Sequence, residues 1–158
     1  MGFDDIVDKY SDMVYRLAFV YTKNRHDAED ITQDVFYRYI TKQPEFEGEE
    51  HRKAWLVRVT INRCKTFFAT AWFRRVITKP EPMNPQAAQE NSAENDLREY
   101  LDMLPKKYRP VIHLFYHEDL SVKQISEIMD AKEATVRTWL KRARGILAEK
   151  LKGVERIG

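Results

Sequence analysis

The stretch that decides the fold is SVKQISEIMDAKEATVRTWLKRAR, residues 121–144. It begins with Ser121 and has Gln124 three residues later, the spacing of a capping box in which each side chain bonds to the other residue's backbone amide. A short amphipathic helix should follow and end near Asp130, because Asp tolerates the left-handed backbone of a tight turn. A basic helix is predicted over residues 133–151. Two helices in this order predict a helix-turn-helix that places the basic helix against DNA.

The basic helix has an apolar face and a cationic face. At about 100° per residue, its apolar residues fall within roughly 60° of one another: Val136, Leu140, Ala143 and Leu147. The side chains that point outward or flank this stripe are polar or cationic: Arg137, Thr138, Lys141, Arg142 and Arg144. Such a face fits the major groove, where Arg and Lys reach guanine acceptors or phosphates and Thr reaches base edges. The alternative is an amphipathic helix with a solvated basic face, but the order of the motifs favours DNA binding.

Residues 1–77 are predicted to form three helices. Apolar residues in 3–21 recur at helical spacing and predict a helix that faces the core. After a polar break, Asp27 is suited to cap a second, acidic helix. A third helix, over 52–75, interleaves aromatic rings with seven basic residues and contains no acidic residue. That composition is typical of proteins that bind single strands, although a small module needs most of these rings for its core, so both interpretations stay open.

Composition changes abruptly after Ile77. Residues 78–95 contain three prolines among small and polar residues, which predicts a flexible linker. Helical patterning resumes beyond the linker, and no part of the chain shows the alternation typical of strands. The sequence therefore predicts an all-α protein with two small helical domains, residues 1–77 and 96–158, joined by the linker.

Charge is arranged in blocks although the net charge is only +2. Residues 51–79 contain eight basic residues and no acidic one, and residues 105–158 contain 12 basic residues against seven acidic ones. Two basic segments could hold a polyanion at two places while the acidic segments meet another partner. No apolar run approaches the roughly 20 residues of a membrane span, and the N-terminus lacks a basic segment followed by an apolar one. We therefore expect a cytoplasmic protein.

Three features could indicate a metal site or redox chemistry, and each is weak. Acidic residues gather at the start of the second helix, where negative charge already favours the helix dipole: Asp27, Glu29, Asp30 and Asp34. His113 and His117 have the spacing of a two-histidine site but lack a third ligand. Cys64 is the only cysteine, and its apolar surroundings favour a small buried residue. With no glycine-rich phosphate loop or nucleophile elbow, we expect a protein that is not an enzyme and uses no metal, cofactor or small-molecule substrate.

Three long stretches and the linker occur in a characteristic order. The stretches are DAEDITQDVFYRYI at 27–40, HRKAWLVRVTINRCKTFF at 51–68 and LPKKYRPVIHLFYHEDLSVKQISEIMDAKEATVRTWLKRAR at 104–144. In this order the chain resembles bacterial RNA polymerase sigma factors of the extracytoplasmic-function group. Residues 1–77 resemble sigma region 2, residues 96–152 resemble region 4, and the regions that larger sigma factors carry between them are absent.

The resemblance implies a specificity subunit that binds core RNA polymerase and directs promoter-specific transcription initiation. Docking on the coiled coil of the β′ clamp is implied for Asp30, Gln33, Asp34 and Phe36. Recognition and opening of the minus-ten element are implied for Arg58, Asn62, Arg63 and Lys65, and Asn62 is the strongest candidate for capturing an extruded base. Contact with the minus-thirty-five element is implied for Arg137, Thr138, Lys141, Arg142 and Arg144. Contact with the β flap and control by an anti-sigma factor are further expectations.

The sequence departs from the family pattern at a few positions. Asp130 stands where the family usually has Gly, Lys132 replaces a common Ser or Thr cap, and Trp139 replaces a polar residue. The loop at 46–50 is more acidic than usual, which argues against direct DNA contact by that loop. Two alternatives remain: a repressor or activator that acts without core polymerase, and an enzyme whose metal is held by the two histidines. The acidic second helix favours a sigma factor, because a lone regulator has no need of it.

Overall fold

The structure is a computed structural model that describes residues 2–77, 99 and 101–157. It divides into two compact units, Met1–Glu90 and Asn91–Gly158, called here the N-terminal and C-terminal modules. Within the described residues the regular structure is helical throughout, in six α-helices, which confirms the all-α fold class. The predicted linker, residues 78–95, lies outside the described residues, and the predicted domain boundaries stay a prediction.

The N-terminal module consists of three helices that pack against one another: α1 (Phe3–Thr22), α2 (Arg25–Lys42) and α3 (Glu49–Ile77). The helix expected over 52–75 is therefore longer at both ends. The core is made of side chains with at most 3% exposure, among them Ile6, Val14, Leu17, Phe19, Ala28, Ile31, Val35, Leu56 and Ile61. Cys64 is buried in the same core, as predicted.

The start of α2 differs from the prediction. Its N-cap is Asn24, whose side-chain oxygen accepts a hydrogen bond of 3.0 Å from the backbone N–H of Asp27. Lys23 adopts a left-handed conformation with φ of 52° and ends α1, so the chain turns within two residues and α2 begins at once. Asn and Asp are about equally good N-caps, and the backbone turn decides which one occupies that position. The expectation that Asp27 caps α2 is wrong, and Asp27 lies in the first turn instead.

Aromatic rings hold the segment between α2 and α3 on the module. The Phe46 ring lies 6.1 Å from the ring of Tyr39 and 6.0 Å from that of Trp55. Tyr39 and Trp55 are themselves 5.7 Å apart, edge to face. The Arg52 guanidinium lies 5.2 Å from the Phe46 ring. Because rings at these separations attract one another beyond simple burial, these aromatic residues contribute to packing, and the cation beside them belongs to the same cluster.

The C-terminal module contains α4 (Arg109–Tyr116), α5 (Val122–Met129) and α6 (Glu133–Ile157). The predicted capping box is confirmed: Ser121 Oγ accepts a hydrogen bond from the Gln124 amide at 3.1 Å, and Gln124 Oε1 accepts one from the Ser121 amide at 2.8 Å. Asp130 ends α5 in the left-handed conformation with φ of 53°, as predicted. The helix-turn-helix is thus formed by α5, this turn and α6.

The two histidines of α4 and its C-cap occupy different environments. His113 is fully buried and its Nε2 lies 3.1 Å from the Glu118 carboxylate, whereas His117 is exposed. Their rings stack with centroids 5.0 Å apart. Among the described residues no group of three or more His, Cys, Asp or Glu side chains could hold a metal ion. Within the same residues, none of the helices has the length and apolar composition needed to cross a membrane.

Candidate nucleic-acid interface

The outward face of α6 is polar, cationic and accessible. Five residues were predicted to lie on it or on its flanks, and the side chains of all five are exposed: Arg137, Thr138, Lys141, Arg142 and Arg144. On the opposite side Val136, Leu140 and Ala143 are buried at 0–2% exposure. This separation follows from helical geometry, which repeats every 3.6 residues. The helix therefore presents donors and positive charge on a rigid support, while its contact with DNA stays a prediction.

Two tyrosines at the ends of α4 bond to arginines of α6. The Tyr116 hydroxyl accepts a hydrogen bond of 3.3 Å from Arg144 Nη1. Tyr108, whose ring is buried, is hydrogen-bonded to Arg142 and Lys107. Although desolvation raises the pKa of the Tyr108 phenol, the hydrogen bonds with these two cations lower it, and the net shift is downward. No local spacing relates these two tyrosines to α6, so the sequence alone does not reveal them.

The basic residues of α3 divide between two faces. At about 100° per residue, Asn62 and Lys65 lie within roughly 40° of Arg58, whereas Arg63 lies about 140° away. Arg58, Asn62 and Lys65 are exposed, while the Arg63 side chain is only 28% exposed. Of the four residues predicted to act at the minus-ten element, three therefore share a surface, which we call the α3 face. Arg63 does not lie on it.

Arg63 turns toward α2 and forms an ion pair with a predicted polymerase-docking residue. Its Nε contacts Asp34 Oδ2, and Arg38 Nε lies 3.5 Å from the same oxygen. One carboxylate oxygen thus lies beside two guanidinium groups. Beside the pair, a groove of about 430 Å³ runs between α2 and α3. The structure therefore joins Asp34 to Arg63, two residues to which the sequence analysis assigned different partners.

The residues predicted to dock on polymerase differ in accessibility. Asp30 and Gln33 are exposed, and Asp34 is one-third exposed. Phe36 is only 6% exposed, so its ring belongs to the core and does not lie on the docking surface, contrary to the expectation. Tyr37, which the sequence analysis did not single out, is 65% exposed. At about 100° per residue it lies between Asp30 and Gln33 around the helix, so the accessible part of this face combines a carboxylate, an amide and a phenol.

Partners inside the N-terminal module balance the negative charge of Glu49, which lies in the acidic segment 46–50. Its carboxylate accepts a hydrogen bond of 2.5 Å from the Tyr10 hydroxyl and one of 3.3 Å from Lys9, and it forms an ion pair with Arg52. The bond from Tyr10 is the largest cause that lowers the pKa of Glu49 to about 2. The acidic character of this segment therefore includes a carboxylate that fastens the start of α3 to α1.

Comparison with known proteins identifies both modules. Residues 6–74 match the family model for Sigma-70 region 2, and residues 94–147 match that for Sigma-70, region 4. The chain is 32% identical to the ECF RNA polymerase sigma factor SigW of Bacillus subtilis, over 96% of this chain and 89% of SigW. The chain belongs to the ECF RNA polymerase sigma factors. A second relative, the RNA polymerase sigma factor SigV of the same organism, is also 32% identical, over 82% of this sigma factor and 78% of SigV.

Solved structures share the fold of this sigma factor. The sigma factor RpoE from Bartonella quintana, in co-crystals with the anti-sigma factor NepR, superposes with a TM-score of 0.72 at 24% identity, covering 95% of this chain and 96% of RpoE. CnrH, in complex with the cytosolic domain of CnrY, gives a TM-score of 0.69 at 18% identity, covering 96% and 88%. At such identities the likeness shows a common fold.

Membership of the family confirms the function implied by the sequence resemblance: this sigma factor acts in promoter-specific transcription initiation. The alternative of a repressor or activator that acts without polymerase accounts for region 4 alone, whereas the region 2 match spans the N-terminal module.

Proposed function

We propose that this sigma factor is a non-enzymatic, cytoplasmic specificity subunit with three working surfaces. The accessible face of α2 docks on core RNA polymerase, the α3 face acts on the minus-ten element, and the outward face of α6 anchors the minus-thirty-five duplex. The observation that carries the proposal is the presence of exposed cationic surfaces on both modules, with an acidic helix packed beside one of them. A DNA-binding regulator that acts alone needs only the surface on α6.

On α6, the proposed contacts follow from the chemistry of the exposed side chains. Arg142 and Lys141 can donate to guanine acceptors or phosphate oxygens, and Thr138 can reach base edges. Arg137 and Arg144 flank this group and fit phosphates on either side of the groove. Since phosphate contacts orient the helix and base contacts select the sequence, we assign base reading to the central residues and anchoring to the flanking ones.

On the α3 face, Asn62 is the proposed reader of an extruded base. Its amide both donates and accepts hydrogen bonds, which a base edge requires, while the neighbouring Arg58 and Lys65 can hold the sugar-phosphate backbone. The rings of Trp55 and Phe46 pack against each other at 6.0 Å. We therefore assign recognition of the base to hydrogen bonding by Asn62, with these rings as structural support.

On α2, Asp30 and Gln33 are the proposed centre of polymerase docking. Asp34 and Tyr37 are proposed as additional contacts. A carboxylate and an amide beside an exposed phenol suit a basic helical partner such as the β′ clamp coiled coil, and the C-terminal module is proposed to meet the β flap. One structural neighbour is the sigma factor RpoE in complex with the anti-sigma factor NepR, and another is CnrH in complex with the cytosolic domain of CnrY. We extend an anti-sigma partner to this chain by analogy, without assigning it a surface.

A charge reversal tests the docking surface and the proposed function together. Asp30→Lys should abolish co-elution of the chain with core polymerase in gel filtration and should remove run-off transcription, because it places a cation opposite a basic partner. Asp8→Lys, which reverses an exposed charge on α1, is the matched control and should retain both activities. If the wild-type chain failed to co-elute with core polymerase, the proposed docking role would be lost.

A further inference from the structure

The carboxylate of Asp34 stands between the polymerase-docking face and the DNA-binding residues of the N-terminal module. Its Oδ2 contacts Arg63 Nε on α3 and lies 3.5 Å from Arg38 Nε on α2. All three side chains are partly exposed, at 33% for Asp34, 28% for Arg63 and 41% for Arg38. The paired atoms, Asp34 Oδ2 and Arg63 Nε, are themselves buried, so a competing charge has to approach through the exposed part of the Asp34 side chain.

In this arrangement Arg63 is directed away from the surface on which a single strand would lie. It lines the groove between α2 and α3 together with Thr66, Phe67 and Thr70. Around the helix it stands about 100° from Asn62. To reach a phosphate held beside Asn62, the guanidinium has to leave Asp34, and Asp34 then needs another cation.

We propose that the Asp34–Arg63 ion pair couples polymerase docking to strand capture. When a cation of the polymerase pairs with Asp34, Arg63 is released and binds a phosphate of the separated strand. The exchange replaces one charge pair with two, because Asp34 gains the polymerase cation while Arg63 gains the phosphate. This inference rests on the proposed docking role of the α2 face. Linkage makes the coupling reciprocal, so strand capture by Arg63 also strengthens docking through Asp34.

The free chain provides the first test, with an oligothymidylate of about 12 nucleotides as the probe. Asp34→Asn removes the charge that holds Arg63 and should tighten binding of the probe about fivefold or more, the lower end of typical coupling between sites. Release of one phosphate-binding cation should also steepen the slope of log affinity against log salt by about 0.7. Asp30→Asn removes the same charge from an exposed residue that pairs with His26. It should change affinity less and leave the slope unaltered.

Variants of Arg63 make the test decisive. Arg63→Gln should weaken capture of the strand by the polymerase-bound chain much more than it changes the affinity of the free chain for oligothymidylate, since Asp34 already withholds this cation in the free chain. In the double variant Asp34→Asn/Arg63→Gln, the gain in oligothymidylate affinity that Asp34→Asn causes alone should be absent. The coupling is overturned if the gain survives in the double variant, or if Asp34→Asn and Asp30→Asn behave alike. Because these measurements use the free chain, they remain informative even if docking on core polymerase fails.

Discussion

The two cationic surfaces of this sigma factor differ in what holds their arginines. On α6, the residues bonded to Arg142 and Arg144 include the phenols of Tyr108 and Tyr116. On α3, Arg63 is held by the carboxylate of Asp34. A neutral phenol orients a guanidinium and leaves its charge available to a phosphate, whereas a carboxylate offsets that charge. The comparison indicates that the proposed duplex-binding arginines of the C-terminal module keep their charge available, while Arg63 of the N-terminal module is paired with a carboxylate.

The strength of the Asp34–Arg63 pair decides whether it can be exchanged. Partly exposed ion pairs contribute only about 0–1 kcal/mol to stability, because water and salt screen them. Charge-assisted hydrogen bonds to a phosphate or to a polymerase side chain are of similar or greater strength. Exchange of partners is therefore energetically accessible. A fully buried pair would resist it, because losing one partner there costs about 3–5 kcal/mol.

The largest expected effects come from removing one central residue of each surface. Arg142→Ala should weaken binding to minus-thirty-five duplex by about 1–3 kcal/mol, with sequence preference relaxed at one position. Asn62→Ala should leave duplex binding nearly unchanged and reduce formation of the open complex, since it removes a contact made only after strand separation. Duplex affinity by fluorescence anisotropy and bubble formation by permanganate footprinting separate the two steps.

For each of these variants, one result would contradict the role assigned to the residue. A normal permanganate bubble with Asn62→Ala would remove Asn62 from strand capture. Equal losses by Arg142→Ala on all duplex sequences would reassign Arg142 to a phosphate. Thr66→Ala is the matched control on α3, because its hydroxyl already bonds to the Asn62 carbonyl at 3.0 Å, and it should behave like the wild type.

A smaller effect is expected from the phenol that supports Arg142. Tyr108→Phe removes the hydrogen bonds to Arg142 and Lys107 and keeps the buried ring. Loss of the bond to Arg142 should weaken duplex binding by about 0.5–1.5 kcal/mol. The loss should be absent in an Arg142→Ala background, which a double-mutant cycle would show. An equal loss in both backgrounds would mean that Tyr108 acts through the stability of the module and not through Arg142.

Local motifs explain why the C-terminal module was predictable from sequence. The capping box from Ser121 to Gln124 and the left-handed Asp130 depend on neighbours within a few residues. The faces of α6 follow from its helical repeat alone. The placement of Asn24 as the cap of α2 was missed because it depends on where α1 ends, and Lys23 sets that point through its backbone conformation.

Contacts between distant residues could not be predicted in this way. Tyr10 and Glu49 are 39 residues apart, and Tyr116 and Arg144 are 28 apart. Such pairs form only once the helices have packed, so no spacing within one helix reveals them. The pairing of Arg63 with Asp34 is of the same kind. It separates Arg63 from the other residues that the family resemblance assigned to the minus-ten element. Burial of Phe36 likewise depends on how its neighbours enclose α2.

The smallest expected effect concerns Glu49 and appears only through acid titration. Its pKa in the folded protein is lowered to about 2 from a usual value of 4.5, chiefly by the hydrogen bond from Tyr10. A depressed carboxyl pKa stabilises the fold above the unfolded-state value, and this contribution is lost as pH falls toward 2. The free energies of chemical unfolding of the wild type and Glu49→Gln should therefore differ most above pH 4.5 and converge near pH 2.

Glu50→Gln removes the adjacent carboxylate and serves as the control. If both variants gave the same pH profile, Glu49 would have no special role in fastening α3 to α1. In that case the contrast between the held charges of the N-terminal module and the open face of α6 would rest on Arg63 alone.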